Sequence, residues 1–340
     1  MICQINRKIS GTSRSGIDPR QEKQSPSTLQ KNNLNSRTIQ ETKNASNQLH
    51  GILCNFPMLQ CNCHSLHLRL DFNTQASSPT EGKQFSFLMT STTHKDACTD
   101  SEDSVVHLVF ARNDGKAPNA NIPCIGISEP CATLCKELLP LSNPYERFFP
   151  APNSGSDSGF VLRRKVDTTA DSITSLANML SNLIPGDCYQ IALNLTHSVL
   201  LHYSSPWLRD WTLDTIRFVK NHGSLKPTWT PHLTVSFSGA TNQHQFGCQN
   251  REVYSLGLIL LQVGRKRPLD SIKDSPQALQ TAVDELCGMV GLRYRKVVWN
   301  CLYKWNDNRI DLMDEEHIRC FWADICELQS LVSEFVYGVS

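Results

Sequence analysis

Along the first half of the chain apolar residues alternate with polar ones, the pattern of strands that bury one face. Leu66, Leu68, Leu70 and Phe72 are the first such set. Gln84-Phe-Ser-Phe-Leu-Met and Val105-Val-His-Leu-Val-Phe repeat the signal after polar loops, and Gly159-Phe-Val-Leu-Arg-Arg-Lys-Val gives a fourth strand. Residues 122–127 are a weaker extended stretch, residues 132–139 read as a short helix stopped by Pro140, and residues 143–158 read as loop. Ahead of all this, residues 1–50 are rich in Ser, Thr, Asn, Gln, Lys and Arg. Such a segment has too little clustered apolar surface to offset its conformational entropy, so a disordered tail is expected over residues 1–54.

After Asp167 the period changes. Ile173, Leu176, Leu180 and Leu183 fall on one helical face, and Pro185-Gly186-Asp187 breaks the run with Asp187 as a helix cap. A mostly apolar helix follows over residues 189–203 and stops at Ser204-Ser205-Pro206. Residues 251–264 are apolar on nearly every side, which marks a helix buried within a domain. Three further helices are expected at residues 277–289, 293–305 and 315–336. Strands first and helices afterwards define an α+β chain. The expected division is a small β-rich part over residues 55–170 and a helical part over residues 171–340.

Composition narrows the function classes. The 340 residues contain 33 basic and 32 acidic side chains, so no overall field points to nucleic acid or an acidic membrane. The 14 cysteines are scattered, many of them in apolar runs where a thiol acts as a small hydrophobe. The first residues, Met1-Ile-Cys-Gln-Ile-Asn-Arg-Lys, turn polar at once and lack the apolar core of a secretory signal. A reduced protein of the cytoplasm is the expectation, with no membrane span.

The buried helix carries a more specific pattern. Glu252-Val-Tyr-Ser255-Leu-Gly257 followed by an aliphatic run resembles the Asp-x-x-Ser-x-Gly opening of the long helix in the protein-kinase C-lobe. The resemblance implies that Glu252 braces the catalytic loop and that Gly257 allows close packing. The order of strands and helices is likewise that of a kinase: a small antiparallel sheet lobe, then a mainly helical lobe. The catalytic loop should then follow residues 189–203. There Arg209 and Asp210 match the His-Arg-Asp signature, while Leu208 replaces its His, Thr212 the following Lys and Thr215 the metal-binding Asn. Where Asp-Phe-Gly is due, Pro231-His-Leu-Thr-Val-Ser-Phe237 has no carboxylate, and the first lobe has no glycine-rich loop. Lys165 is the nearest candidate for the nucleotide-binding lysine. Phosphoryl transfer depends on positioning and charge neutralisation by that lysine and by metal ions, so losing these parts together implies a catalytically dead module.

Several motifs occur in a fixed order: Cys61-Asn-Cys-His, Pro206-Trp-Leu, Trp211-Thr-Leu-Asp, Pro231-His-Leu, Glu252-Val-Tyr-Ser-Leu-Gly, Tyr294-Arg-Lys-Val-Val and Asp311-Leu-Met-Asp-Glu-Glu. Together they resemble a filamentous-fungal family with a degenerate kinase-like C-terminal domain. Some members carry N-terminal segments linked to heterokaryon incompatibility and prion-type cell death; here a polar tail stands in that place. The resemblance implies a non-catalytic interaction or signalling module with a protein partner and no cofactor. The alternatives are an atypical phosphotransferase using Asp210, or a remnant of a fungal cell-death protein.

Other candidate chemistry is weaker. Cys61, Cys63 and His64 invite a zinc reading completed by Cys131 and Cys135, but the one-residue gap is unusual and core packing is the better expectation, so no metal is assigned. Arg265-Lys-Arg267 resembles a nucleic-acid patch, yet at a helix C-terminus it fits a solvated cap favoured by the dipole. The pairs Trp207/Trp211 and Trp299/Trp305 fit buried packing better than a binding groove.

Overall fold

The computed structural model describes residues 36–55, 64–70, 83–91, 105–114, 122–124, 145–151, 158–165, 170–209, 211–221, 230–235, 250–269, 275–307 and 310–338. Residues 1–35 of the expected tail, the 132–139 helix and the cysteines Cys61, Cys63, Cys131 and Cys135 lie outside them.

The alternating segments form strands β1 (His64–Arg69), β2 (Gln84–Ser91), β3 (Val105–Asp114) and β5 (Ser158–Lys165). Antiparallel register sets Leu68 against Phe87, Phe87 against Leu108, and Phe110 against Leu162. Side chains paired in this way share a face, and these five are buried to within 1 % of fully. β4 (Glu146–Pro150) breaks the alternation rule, and neither it nor β6 (Ala170–Ser175) was expected. β4 lies in the stretch read as loop; its adjacent Phe148 and Phe149 are both buried, so no period of two is visible. β6 occupies the start of the segment read as a helix from residue 172. The helix begins only after Ser175, whose hydroxyl accepts the Asn178 amide at 3.3 Å, and it is the short α2 (Leu176–Met179) followed by a 3-10 turn. Leu176, Leu180 and Leu183 are buried all the same. Four apolar residues in so short a window suit a strand, a turn and a short helix as well as one continuous helix.

β7 (Ile216–Asn221) and β8 (Pro231–Val235) complete an eight-stranded antiparallel sheet in the order β4-β5-β3-β2-β1-β8-β7-β6. The β1–β8 pair, with Leu66 opposite Val235 and Leu68 opposite Leu233, ties the strands of both halves of the sequence into one sheet. The boundary expected at residues 170/171 thus falls inside a strand of that sheet.

The helical elements are α1 (Ser36–Cys54), α3 (Pro185–His202), α4 (Arg251–Arg265), α5 (Pro276–Val290), α6 (Leu292–Trp299), which runs on through a π turn at Asn300–Lys304, and α7 (Glu315–Tyr337). α1 corrects the reading of residues 36–54 as tail. α3 starts one turn earlier than expected: Pro185 is its first residue, and Asp187 sits inside the first turn, accepting the Ile184 amide at 3.0 Å. Ser275 and Asp314 cap α5 and α7 through Ala278 N, Glu316 N and His317 N.

α4 is the hub of the helices. Its Val253, Leu256, Leu260, Leu261 and Val263 are fully buried. The Tyr294 hydroxyl donates to Leu260 O at 2.8 Å, and the Cys188 thiol donates to Val263 O at 3.4 Å. Glu252 lies in the first turn and Arg265 in the last, the order the helix dipole favours. Arg265 is not the solvated cap expected of it. Its side chain is buried and ion-paired with Glu285 at 3.1 Å, while Arg267 reaches the same carboxylate from solvent. Lys266 closes the helix in the left-handed region at φ 56°. A buried carboxylate joins α6 to α7: Asp324 accepts from Asn300 Nδ2 at 2.7 Å and from Trp305 Nε1 at 2.8 Å. Trp207, Trp211 and Trp305 are buried as expected, but Trp299 is exposed and packs on Tyr303.

Candidate functional site

The loop expected from the sequence to be a degenerate catalytic loop begins where α3 ends. His202 is the last residue of the helix, Ser204 takes a positive φ of 62°, and Pro206–Leu208 forms one 3-10 turn. Leu208 is fully buried, whereas Arg209 is exposed. Asp210 lies outside the described residues. Thr215 turns inward on its own segment: its hydroxyl donates to Thr212 O at 3.0 Å and accepts from Thr212 N at 2.7 Å. That satisfies the chain locally and builds the turn into β7.

Over this loop lies α1, whose segment was expected to be tail. Its face of Ile39, Thr42, Lys43, Ala45, Ser46, Leu49, Ile52 and Leu53 is 0–1 % exposed. Trp207 Nε1 donates to Ser46 O at 3.2 Å, and Ser46 Oγ shares a 2.9 Å hydrogen bond with His202 Nδ1. The His50 ring meets Trp207 edge-on at 4.6 Å, and Phe87 of β2 meets the same indole at 5.9 Å. Lys43 reaches across to the segment before α7, donating to Leu312 O at 2.7 Å, with its ammonium 5.2 Å from the Tyr203 ring. Burial lowers that ammonium to about 8, and the charge of Asp311 offsets part of the effect.

Glu252 stands at the edge of this region. Burial raises its carboxyl, countered by a bond to its own amide and by the charges of Arg251 and Arg209. Its negative charge, with that of Asp311, adds to the burial that pushes Tyr203 up to about 12. Ser255 is half-buried one turn on. At Gly257 an added Cβ would lie 2.8 Å from Leu302 Cγ and 3.0 Å from Cys301 Cβ, so α4 and the π turn approach closely there only over a hydrogen.

Lys165 is the last residue of β5, opposite His107. β8 ends at Val235, and the following residues 236–249 are outside the described set. The β1–β8 ladder closes the seam between strands from the two halves of the chain: Leu70 N donates to Pro231 O at 2.8 Å. His67 is clamped across it, Nδ1 to Thr234 Oγ1 and Nε2 to Thr90 Oγ1, both at 3.0 Å. Among the described residues no group of three His, Cys, Asp or Glu side chains could hold a metal, and no helix is long and apolar enough to cross a membrane.

The residues sequence reasoning missed are Lys43, Ser46 and His50 of α1, and His67 with Thr234 on the seam. The apolar positions 39, 45, 49, 52 and 53 of α1 do repeat at helical spacing, and that was the available signal.

Residues 163–327, slightly under half of the chain, match a family described as a domain of unknown function, DUF7580. No curated protein sequence matches. Among solved structures the chain is similar to the PAN3 pseudokinase of Drosophila melanogaster, at 12% identity and a TM-score of 0.35, over 82% of this chain and 70% of that one. It is similar to the PAN3 pseudokinase of Neurospora crassa at 12% identity and a TM-score of 0.37, over 89% of this chain and 71% of that one.

Proposed function

We propose that the chain is a non-catalytic, kinase-like module that acts by binding a protein partner. The observation that carries this reading is the α1 seat. The loop that corresponds to a kinase catalytic loop is covered by the chain's own helix, with His202 and Trp207 committed to Ser46 and Leu208 buried beneath. Main-chain pairing of β1 with β8 adds to it, because it spends on structure the strand that leads toward the magnesium-binding position. A signalling role in a filamentous fungus, in the cytoplasm, is the finer form of the proposal and rests on the ordered motifs. In this reading Glu252 and Gly257 are structural, and Leu208, Arg209, Asp210 and Thr215 are the remnant of a loop.

A partner surface is available on the helical part. Ile184, Met289, Leu292, Phe335 and Val336 are large, apolar and 45–62 % exposed. Tyr189 gathers their neighbourhoods, donating to Val290 O at 3.0 Å and meeting the Phe335 ring at 6.1 Å.

The test is the melting temperature of the full chain with and without Mg-ATP, in the wild type and in Asp210→Ala. A ligand that binds only the folded state adds about 2.7 kcal/mol at a hundredfold excess over its dissociation constant. No nucleotide-dependent shift is expected in either protein. A shift in the wild type that Asp210→Ala abolishes would overturn the proposal in favour of a phosphotransferase.

A further inference from the structure

Three segments of the helical part meet at one apolar face: the turn into α3, the junction of α5 and α6, and the end of α7. Ile184, Met289, Leu292, Phe335 and Val336 stand on it, 45–62 % exposed. They form one patch rather than five scattered residues, because the groups beneath them tie the segments together. The Phe335 ring rests on the backbone of Gly186, where an added Cβ would lie 2.1 Å from the ring. Tyr189 meets that ring edge-on and donates to Val290 O, between Met289 and Leu292. Arg293, beside Leu292, is ion-paired with Glu334, beside Phe335. The face is therefore in place before anything binds, which lowers the cost of ordering it.

Its size and its charge point to one occupant. Five large side chains about half exposed leave roughly 500 Å² of apolar surface, near the top of what the largest patch on a monomeric protein reaches. The charges around it are close to balanced. Lys266 and Asp187 act on Cys188, and Arg293 and Glu334 act on Tyr189. Glu327 reaches Arg293 from farther along α7, at 3.9 Å. Such a rim offers no strong field to nucleic acid, to an anionic bilayer or to a highly charged protein. It does suit a copy of itself. In a two-fold interface the same patch faces itself, and each cation of one copy can meet an anion of the other.

We propose that this face is a two-fold interface between two copies of the chain. The inference rests on the partner-binding reading above and names the partner as a second copy. Pairing two such patches removes roughly 1,000 Å² from water before any rim residue is counted. That is the lower bound for a specific interface and well below the size of an obligate one, so the dimer forms reversibly and depends on concentration. Phe335 and Leu292 lie on either side of the Arg293–Glu334 pair. Covering them shields that pair from solvent and strengthens it, an effect the separated copies do not have.

The experiment is sedimentation equilibrium of the full-length chain over a wide range of concentration, without nucleotide or magnesium. The mass should rise from 38.2 kDa toward twice that value as the protein is concentrated. Leu292→Asp and Val336→Asp put a charge at positions that are both 62 % exposed, so the fold tolerates them, and a melting curve checks this. Each should weaken association roughly tenfold or more, because the new carboxylate would be buried without a partner. Met313→Asp, at an exposed apolar residue before the opposite end of α7, should leave association unchanged. A mass that stays at 38.2 kDa, or association that folded Leu292→Asp and Val336→Asp retain in full, would overturn the proposal. If those variants do not fold, hydrogen exchange of the wild type at low and high concentration decides. Slower exchange over residues 289–293 and 334–336 on concentrating is the expected result, and unchanged exchange there rejects the interface. A monomer leaves the non-catalytic reading standing, and a nucleotide-dependent shift overturns that reading without touching the dimer.

Discussion

Two helices of this protein are equally buried on their inner faces and were unequally visible in its sequence. α4 presents Leu256, Leu260, Leu261 and Val263, and its burial is evident from hydrophobicity alone. α1 hides Lys43, Thr42 and Ser46 at 0–1 % exposure among its aliphatic residues, and the segment reads as polar tail. The difference lies in what faces them. α4 meets other apolar side chains, so its own residues have to be apolar. α1 meets groups that need hydrogen-bond partners: the carbonyl of Leu312, the ring of His202 and the indole of Trp207. A polar residue can be a core residue when the opposing surface completes it.

The largest test of this contrast is acidification. Burial pushes His67, His197 and His202 down to about 4 and His232 to about 3, from an ordinary value of 6.5. On lowering the pH the unfolded chain takes up these protons before the folded one does. The stability held by neutral histidines is therefore complete above pH 6.5 and is lost as the pH falls toward the folded values. Each group contributes up to about 1.4 kcal/mol per pH unit in that window, so denaturant titrations at successive pH values should lose several kcal/mol overall. A stability flat between pH 6.5 and 5 would show that the imidazoles are not held neutral, and would remove the account of both the α1 seat and the β1–β8 seam.

Next in size are matched truncations, Leu260→Ala in α4 and Leu49→Ala in α1. Both leucines are 0 % exposed, and each change should cost about 2–5 kcal/mol by equilibrium unfolding. The comparison sharpens in hydrogen exchange. Leu49→Ala should raise exchange first in α1, whereas Leu260→Ala should raise it throughout α3, α4 and α6. A negligible cost for Leu49→Ala would mean that α1 is only loosely seated.

The smallest pair contrasts packing with polarity. Gly257→Ala forces a methyl against Leu302 and Cys301 and should lower stability by about 1–3 kcal/mol. Ser46→Ala leaves His202 Nδ1 buried without its hydroxyl and should cost a similar ~1–3 kcal/mol, measurable as a lower midpoint in denaturant. The Trp207 bond goes to the backbone of Ser46 and survives that change. A neutral Ser46→Ala would mean that α1 is held by its aliphatic residues alone.

Legibility in the sequence followed the same division. β1, β2, β3 and β5 were readable because one face is apolar and the other is not. β4 was not, since Phe148 and Phe149 are buried on both faces and erase the alternation. Glu252, Ser255 and Gly257 were singled out by their spacing, and the crowding around Gly257 gives that residue a physical reason. Arg265 misled, because a basic residue after an apolar helix ordinarily faces water, and here Glu285 of the next helix lets it stay inside.

What the sequence determined by itself is the local periodicity: helices from apolar spacing of three and four, strands from alternation, helix ends from Ser, Asp and Pro. These depend on residues a few positions apart, and every copy of the pattern carries its own evidence. Only the tertiary structure decided that β1 lies beside β8, pairing Leu66 with Val235, that α1 covers the loop around Trp207, and that Arg69, His232 and Arg217 stand in one row. Those arrangements join residues far apart in the chain. Their free energy comes from which surfaces meet, and a one-dimensional pattern of apolar and polar positions does not carry that information.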